Sequence, residues 1–139
     1  MATKATPITK SQYEALSNFR YQLRKFLRYS EQIARFHGVT PLQYQLMLHI
    51  KGYPRRERAS IRELAERMQA QHHGTVALVT RCEKLGLVRR AADESDRRAV
   101  SVSLTAKGEK VLRVLAELHR DELLAHRDQF IVKDLATTE

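Results

Sequence analysis

Three features of this chain predict a mainly α fold carrying a small β-hairpin. Apolar residues recur at three- and four-residue steps over long stretches near both ends. Capping residues stand at the start of three helical runs (Thr40, Ser60 and Thr105). Residues 99–104 alternate as a strand behind a polar, Asp- and Arg-rich tip.

The first helix is predicted from Ser11 to about His37, where Leu16, Phe19, Leu23, Phe26, Leu27, Ser30, Ile33 and Ala34 form one stripe that stops at Gly38. Thr40 as N-cap, Pro41 at the first helical position and Gln43 completing a capping box start a second, shorter helix that closes at Gly52. The segment YPRRERA is too polar and interrupted for a helix and leads to a very short strand near Ala59. Ser60 and Glu63 form another capping box, ahead of a helix whose inward face is Ile61, Leu64, Ala65 and Met68. The chain turns at Gln69–Gln71, and helical spacing resumes through Val76, Val79, Cys82 and Leu85 until Gly86. Leu87–Arg90 and Ala99–Leu104 read as strands, the second pointing Val100, Val102 and Leu104 inward and Ser101 and Ser103 outward. Thr105 caps a last long helix with Val111, Leu112, Leu115, Leu118, Leu123 and Leu124 on its apolar face, fraying near Ala136.

The 139 residues suffice for one domain, 1–139. Lys and Arg total 25 against 16 Asp and Glu, a formal charge of +9 that points to a polyanionic partner. A single cysteine, Cys82, rules out an internal disulfide framework and a thiolate-rich zinc site, and its place on the inward stripe marks a small buried hydrophobe. The six histidines show no His-x-x-x-His spacing, so no metal and no cofactor is expected. The N-terminus lacks the apolar core of a signal peptide. No stretch approaches the roughly 18 apolar residues of a spanning helix, so no membrane partner and a cytoplasmic location are expected. No constellation of nucleophile, base or metal ligands suggests an enzyme, and with only 6% aromatic residues, placed mainly on helices, the chain lacks the stacking platform typical of RNA readers.

A capped helix, a tight turn, a second helix with a polar front and a hairpin together describe a winged helix-turn-helix, with long N- and C-terminal helices left to dimerise. The whole order resembles the multiple-antibiotic-resistance regulator (MarR) family of bacterial transcription factors. The most specific matches are QHHGTVALVTRCEKLGLV and the wing DESDRRAVSVSLTAKG, which is similar to the family's Asp-x-x-Asp-Arg-Arg, alternating strand and Leu-Thr-x-x-Gly. Where the family often carries Pro-Arg in the wing loop, this chain carries Glu94 and Ser95.

On this reading 40–104 is the DNA-binding lobe, and 9–37 with 105–135 are dimerisation helices. Gln71, His72, His73 and Thr75 are candidates to meet base edges in the major groove of double-stranded DNA, the bland alternative for the histidines being a solvated helix start. Arg97 and Arg98 are candidates for minor-groove insertion, with Asp93 or Asp96 holding back the arginine that does not insert. Arg81, Lys84, Arg89 and Arg90, with Arg55, Arg56 and Arg58, are either phosphate contacts or ordinary surface charge. Surplus apolar surface at Tyr13, Leu16, Leu118 and Phe130 is expected to bury against a second copy, giving a homodimer with recognition helices about 34 Å apart and a palindromic operator. The resemblance also implies control by a small aromatic or phenolic effector. Tyr29, Phe36, His37, Tyr44 and His49 are the candidate pocket, with plain core packing as the alternative. The expected function is a ligand-released repressor; the alternative is a constitutive architectural or non-specific nucleic-acid-binding protein.

Overall fold

In the computed structural model, which describes residues 6–92, 99–130 and 135, the chain runs α1 (Lys10–Phe36), α2 (Pro41–Lys51), β1 (Arg58–Ser60), α3 (Ile61–Met68), α4 (His72–Lys84), β2 (Val88–Ala92), β3 (Val100–Leu104) and α5 (Ala106–Ala125). A single 3₁₀ turn, Arg127–Phe130, follows. Mostly helical with a small sheet, this is the predicted fold class. The expected wing-tip residues Asp93, Asp96, Arg97 and Arg98 lie outside the described residues.

Reciprocal side-chain bonds fix the helix starts. Thr40 Oγ1 accepts from the Gln43 amide at 3.1 Å while Gln43 Oε1 accepts from the Thr40 amide at 3.0 Å. Ser60 and Glu63 repeat the pattern at 3.1 and 2.9 Å. A third capping box, Thr9 with Gln12, starts α1 one residue earlier than the apolar stripe indicates. Each such cap contributes about 1 kcal/mol. Gly38 and Gly86 follow α1 and α4 with φ of +82° and +75°, the left-handed region that glycine enters without a Cβ clash.

The core gathers around α2, whose Leu46, Met47 and Ile50 are fully buried among Leu64 of α3, Val79 and Cys82 of α4, Val88 and Val102 of the sheet and Leu115 of α5. The sheet is antiparallel in the order β1-β3-β2, with Val102 of the central strand opposite Ala59 on one side and Arg90 on the other. The start of α5 lies hard against the strand entrance: a Cβ on Gly108 would sit 2.1 Å from the Leu87 carbonyl oxygen, so only glycine allows this approach.

Three expectations change. Val100 is exposed and Ser101 buried, the reverse of the predicted alternation at that end. Ser101 lies in the central strand with Ser60 and Ala91 on either side, whereas Val100 is paired on one side only, with Ala92 at the end of β2. The last helix stops at Ala125 rather than running to residue 135. The 3₁₀ turn brings the Phe130 ring edge-on to Phe26, centroids 6.0 Å apart, so Phe130 has cover within its own chain. At about 1.5 Å per residue, α1 is some 40 Å long, yet its only buried residues are Ser30 and Ala34. Tyr13, Leu16, Tyr21 and Leu27 remain exposed along it.

Candidate nucleic-acid interface

The turn between α3 and α4 hinges on Gln69, a non-glycine residue at φ +50°. Its amide and side-chain amide both donate to carbonyl oxygens of the last turn of α3, the side chain to Glu66 O at 2.8 Å. Satisfying those end carbonyls holds the left-handed conformation and fixes the direction in which α4 leaves. Gln71 is the N-cap of α4 but makes no side-chain cap bond, and Gln71, His72 and His73 are all exposed.

Thr75 does not join them. It is 1% exposed, and its hydroxyl donates to the Gln71 carbonyl oxygen at 3.0 Å. Thr75, Val79 and Cys82 fall at i, i+4 and i+7, so Thr75 belongs to the face of α4 that enters the core, and its expected base contact is withdrawn. The opposite stripe, His73, Ala77, Arg81 and Lys84, is exposed throughout. Ala77 went unremarked in the sequence, although the same helical wheel places it between His73 and Arg81. Small residues at Gly74 and Ala77 leave the middle of this face low, and nothing lies within 4 Å of a Cβ built at Gly74.

Of the arginines around this face, several are already engaged. Arg90 on β2 reaches back onto α4, its guanidinium donating to Glu83 Oε1 at 2.8 Å and to Thr80 Oγ1 at 2.9 Å. Arg89 Nε donates to Ser103 Oγ at 3.3 Å, and Lys107 Nζ donates to the Leu85 carbonyl at the end of α4 at 2.9 Å, where a cation suits the helix C-terminus. Arg56 pairs with Glu63 and lies 4.4 Å over the Tyr53 ring, with Arg67 5.2 Å from the same ring. Partial burial alone would raise the Glu63 carboxyl, but bonds from the Ser60 amide, the Tyr53 hydroxyl and Arg56 outweigh it and hold its pKa below the ordinary value. Arg55, Arg58, Arg62, Arg81 and Lys84 are exposed.

The five residues expected to form an effector pocket do not converge. Phe36 is 85% exposed and, with exposed His37, forms an edge-on pair at the end of α1. His49 is half-buried, its pKa lowered by burial and by the nearby Arg67 charge. Tyr29 and Tyr44 do meet, but around His119 of α5. The His119 ring stacks on Tyr44 with centroids 4.3 Å apart and 9° between planes, and meets Tyr29 edge-on at 6.2 Å. His119 Nδ1 contacts the Leu115 carbonyl at 2.6 Å and Nε2 contacts Ser30 Oγ at 2.7 Å, so both ring nitrogens are satisfied in the junction of α1, α2 and α5. Burial pushes the Tyr44 hydroxyl up to about 12 and the Cys82 thiol up to about 11, so neither ionises at neutral pH. A shallow cleft of about 120 Å³ lies instead between α1 and the end of α5 with the 3₁₀ turn that follows it, lined by Gln22, Lys25, Phe26, Glu122, His126 and Phe130.

Of the expected interface residues, Tyr13 and Leu16 are 57% and 43% exposed, while Leu118 and Phe130 are half-buried; the Leu118 carbonyl accepts from the Tyr29 hydroxyl at 3.4 Å. Among the described residues no three His, Cys, Asp or Glu side chains gather as metal ligands, and no helix is long and apolar enough to cross a membrane.

Residues 37–99 match the model of the MarR family. A 57-residue segment is 42% identical to an uncharacterized HTH-type transcriptional regulator, YfiV, from Bacillus subtilis (strain 168); it covers 41% of this chain and 36% of that protein, so about a third of the relative's length is matched. Among solved structures, the fold is similar to that of AbsC, a MarR family transcriptional regulator from Streptomyces coelicolor, with a TM-score of 0.75 and 22% identity over 93% of this chain and 86% of that one. It is also similar to a MepR mutant of Staphylococcus aureus bound to an oligodeoxyribonucleotide, with a TM-score of 0.65 and 18% identity over 91% of this chain and 87% of that one.

Proposed function

We propose that this chain, whose residues 37–99 match the MarR family model and whose fold is that of MarR family structures, is a homodimeric repressor that reads a palindromic operator in double-stranded DNA and is released by a small effector. The observation that carries the reading is the outward face of α4. Its exposed His73, Ala77, Arg81 and Lys84 stand beside a hairpin whose strand is fastened to the same helix. A helix of this kind fits the major groove, where the imidazole of His73 can donate to or accept from a base edge and the Ala77 methyl can lie against a thymine methyl. Exposed Gln71 and His72 meet the groove at the start of the helix. Arg97 and Arg98, beyond the described strands, supply the guanidinium for the adjacent minor groove, and Asp93 or Asp96 pairs with the one that stays outside.

Repression needs only occupancy of the operator, so the chain's own DNA-binding and pairing surfaces suffice. For the effector, the cleft lined by Phe26 and Phe130 replaces the pocket expected from sequence. It offers two aromatic rings and the Lys25 ammonium, with His126 held 3.3 Å from the Glu122 carboxylate on the opposite wall, so Lys25 is the cation left to receive an aromatic carboxylate or phenolate. The test is titration of a pre-formed complex with operator DNA by simple phenolic carboxylates. Release should occur with wild-type protein and weaken at least tenfold in Lys25→Ala. Undisturbed complexes at millimolar ligand would remove the effector from the account and leave a constitutive DNA-binding protein.

A further inference from the structure

We propose that Arg90 is a positioning residue that locks the wing strand onto the recognition helix, so that hairpin and helix meet DNA as one rigid reading head. The proposal rests on the DNA-binding reading above.

The geometry is specific. Val76, Thr80 and Glu83 lie at i, i+4 and i+7 on one stripe of α4, and the Arg90 side chain reaches all three. Nη1 donates to Glu83 Oε1 at 2.8 Å, while Nη2 donates to Thr80 Oγ1 at 2.9 Å and to the Val76 carbonyl at 3.3 Å. Thr80 is itself oriented, its hydroxyl donating to the Val76 carbonyl at 3.0 Å, which turns an oxygen lone pair toward the guanidinium. The second Glu83 oxygen accepts the backbone amide of Arg90 at 3.2 Å. Because β2 is an edge strand of the sheet, that outward amide would otherwise face solvent, and Glu83 both satisfies it and sets the distance between strand and helix.

Arg90 therefore presents few donors to a phosphate. A planar guanidinium fork is needed to span acceptors two helical turns apart; an ammonium can serve Glu83 but not Thr80 and Val76 together. Arg90 also lies two residues before Ala92, the last described residue of the strand that leads to the wing tip.

The test compares wild type with Arg90→Lys, Arg90→Ala and Thr80→Val, using duplexes that wild-type protein enriches from a random pool and an unselected duplex as the non-specific probe. Arg90→Lys should lose tenfold or more of the preference for the selected duplex, and Thr80→Val should move in the same direction, while the slope of log affinity against log salt stays at the wild-type value. If Arg90→Lys instead binds like wild type and Arg90→Ala flattens the slope by about 0.9, Arg90 is a phosphate contact and the proposal is overturned. Amide hydrogen exchange over Val88–Ala92 in the free protein reads the clasp without DNA. It should quicken in Arg90→Lys and Thr80→Val, and unchanged protection in both would also overturn the proposal. A wild-type protein that enriches no sequence would instead refute the DNA-reading function, with the exchange result still judging the clasp.

Discussion

His73 and Thr75 sit two residues apart on α4 and face opposite ways. Two positions on an α-helix are separated by roughly 200°, so one of the pair faces solvent whenever the other faces the core. The inward stripe through Val79 and Cys82 already decides which is which. That much is legible in the sequence, and the burial of Thr75 follows from its position on that stripe rather than from its polarity. A buried hydroxyl is tolerated when a partner lies close, and the Gln71 carbonyl one turn earlier supplies it. For His73 the account expects specificity rather than bulk affinity. His73→Ala should reduce discrimination between operator and random duplex by about 1–3 kcal/mol, the worth of a good base contact, while non-specific binding changes little. Equal loss on both duplexes, measured by fluorescence anisotropy, would show that His73 makes no base contact. The roles of Arg90 and His119 could not be read from the chain. Their partners lie 7 to 14 residues away across a turn in the first case and 89 residues away in the second, distances that no local pattern encodes.

At the scale of elements, helix boundaries followed closely from local chemistry. Thr40 with Gln43 and Ser60 with Glu63 cap the helices they were expected to cap, because a capping box closes within four residues and needs no tertiary help. The sheet was less legible. Which face of β3 is covered depends on the elements placed around it, and Ser101 falls in register with Ser60 of β1 and Ala91 of β2, a pairing that no local pattern announces. Beyond the end of α5, Phe130 packs on Phe26 of α1, a contact across the chain that no local pattern encodes. The start of α3 carries a pH dependence. Glu63 has a folded pKa held below its usual value of about 4.3, so it contributes stability that is present above that pH and lost as pH falls through the lower folded value. His49, with its pKa also lowered, acts in the same direction from about pH 6.5 downward, since its protonation favours the unfolded chain. Denaturant midpoints measured from pH 7 to pH 3 should therefore fall steadily for wild type and fall less below about pH 4.3 for Glu63→Gln. Parallel curves for the two proteins would contradict the Glu63 assignment.

The whole molecule leaves apolar surface uncovered along its longest helix. Tyr13, Leu16, Tyr21 and Leu27 of α1 are exposed, as are Val114, Leu123 and Leu124 of α5. The proposed second copy covers it in a two-fold arrangement, the commonest closed solution. Leu16→Asp would place a charge in that buried contact, and sedimentation should then show a monomer; a dimer of unchanged stability would place the interface elsewhere. The chain's excess of basic residues is plain from composition and the burial of Cys82 from its place on the inward stripe of α4, whereas the cleft beside Phe130 depends on where α5 stops. Pairing two α4 faces about 34 Å apart makes a prediction about DNA and not only about protein. The most direct measurement is selection of duplexes from a random pool by the intact protein. The account predicts an enriched inverted repeat with half-site centres about one helical turn, 10 to 10.5 base pairs, apart. A pool that stays random, or a single unpaired half-site, would contradict it.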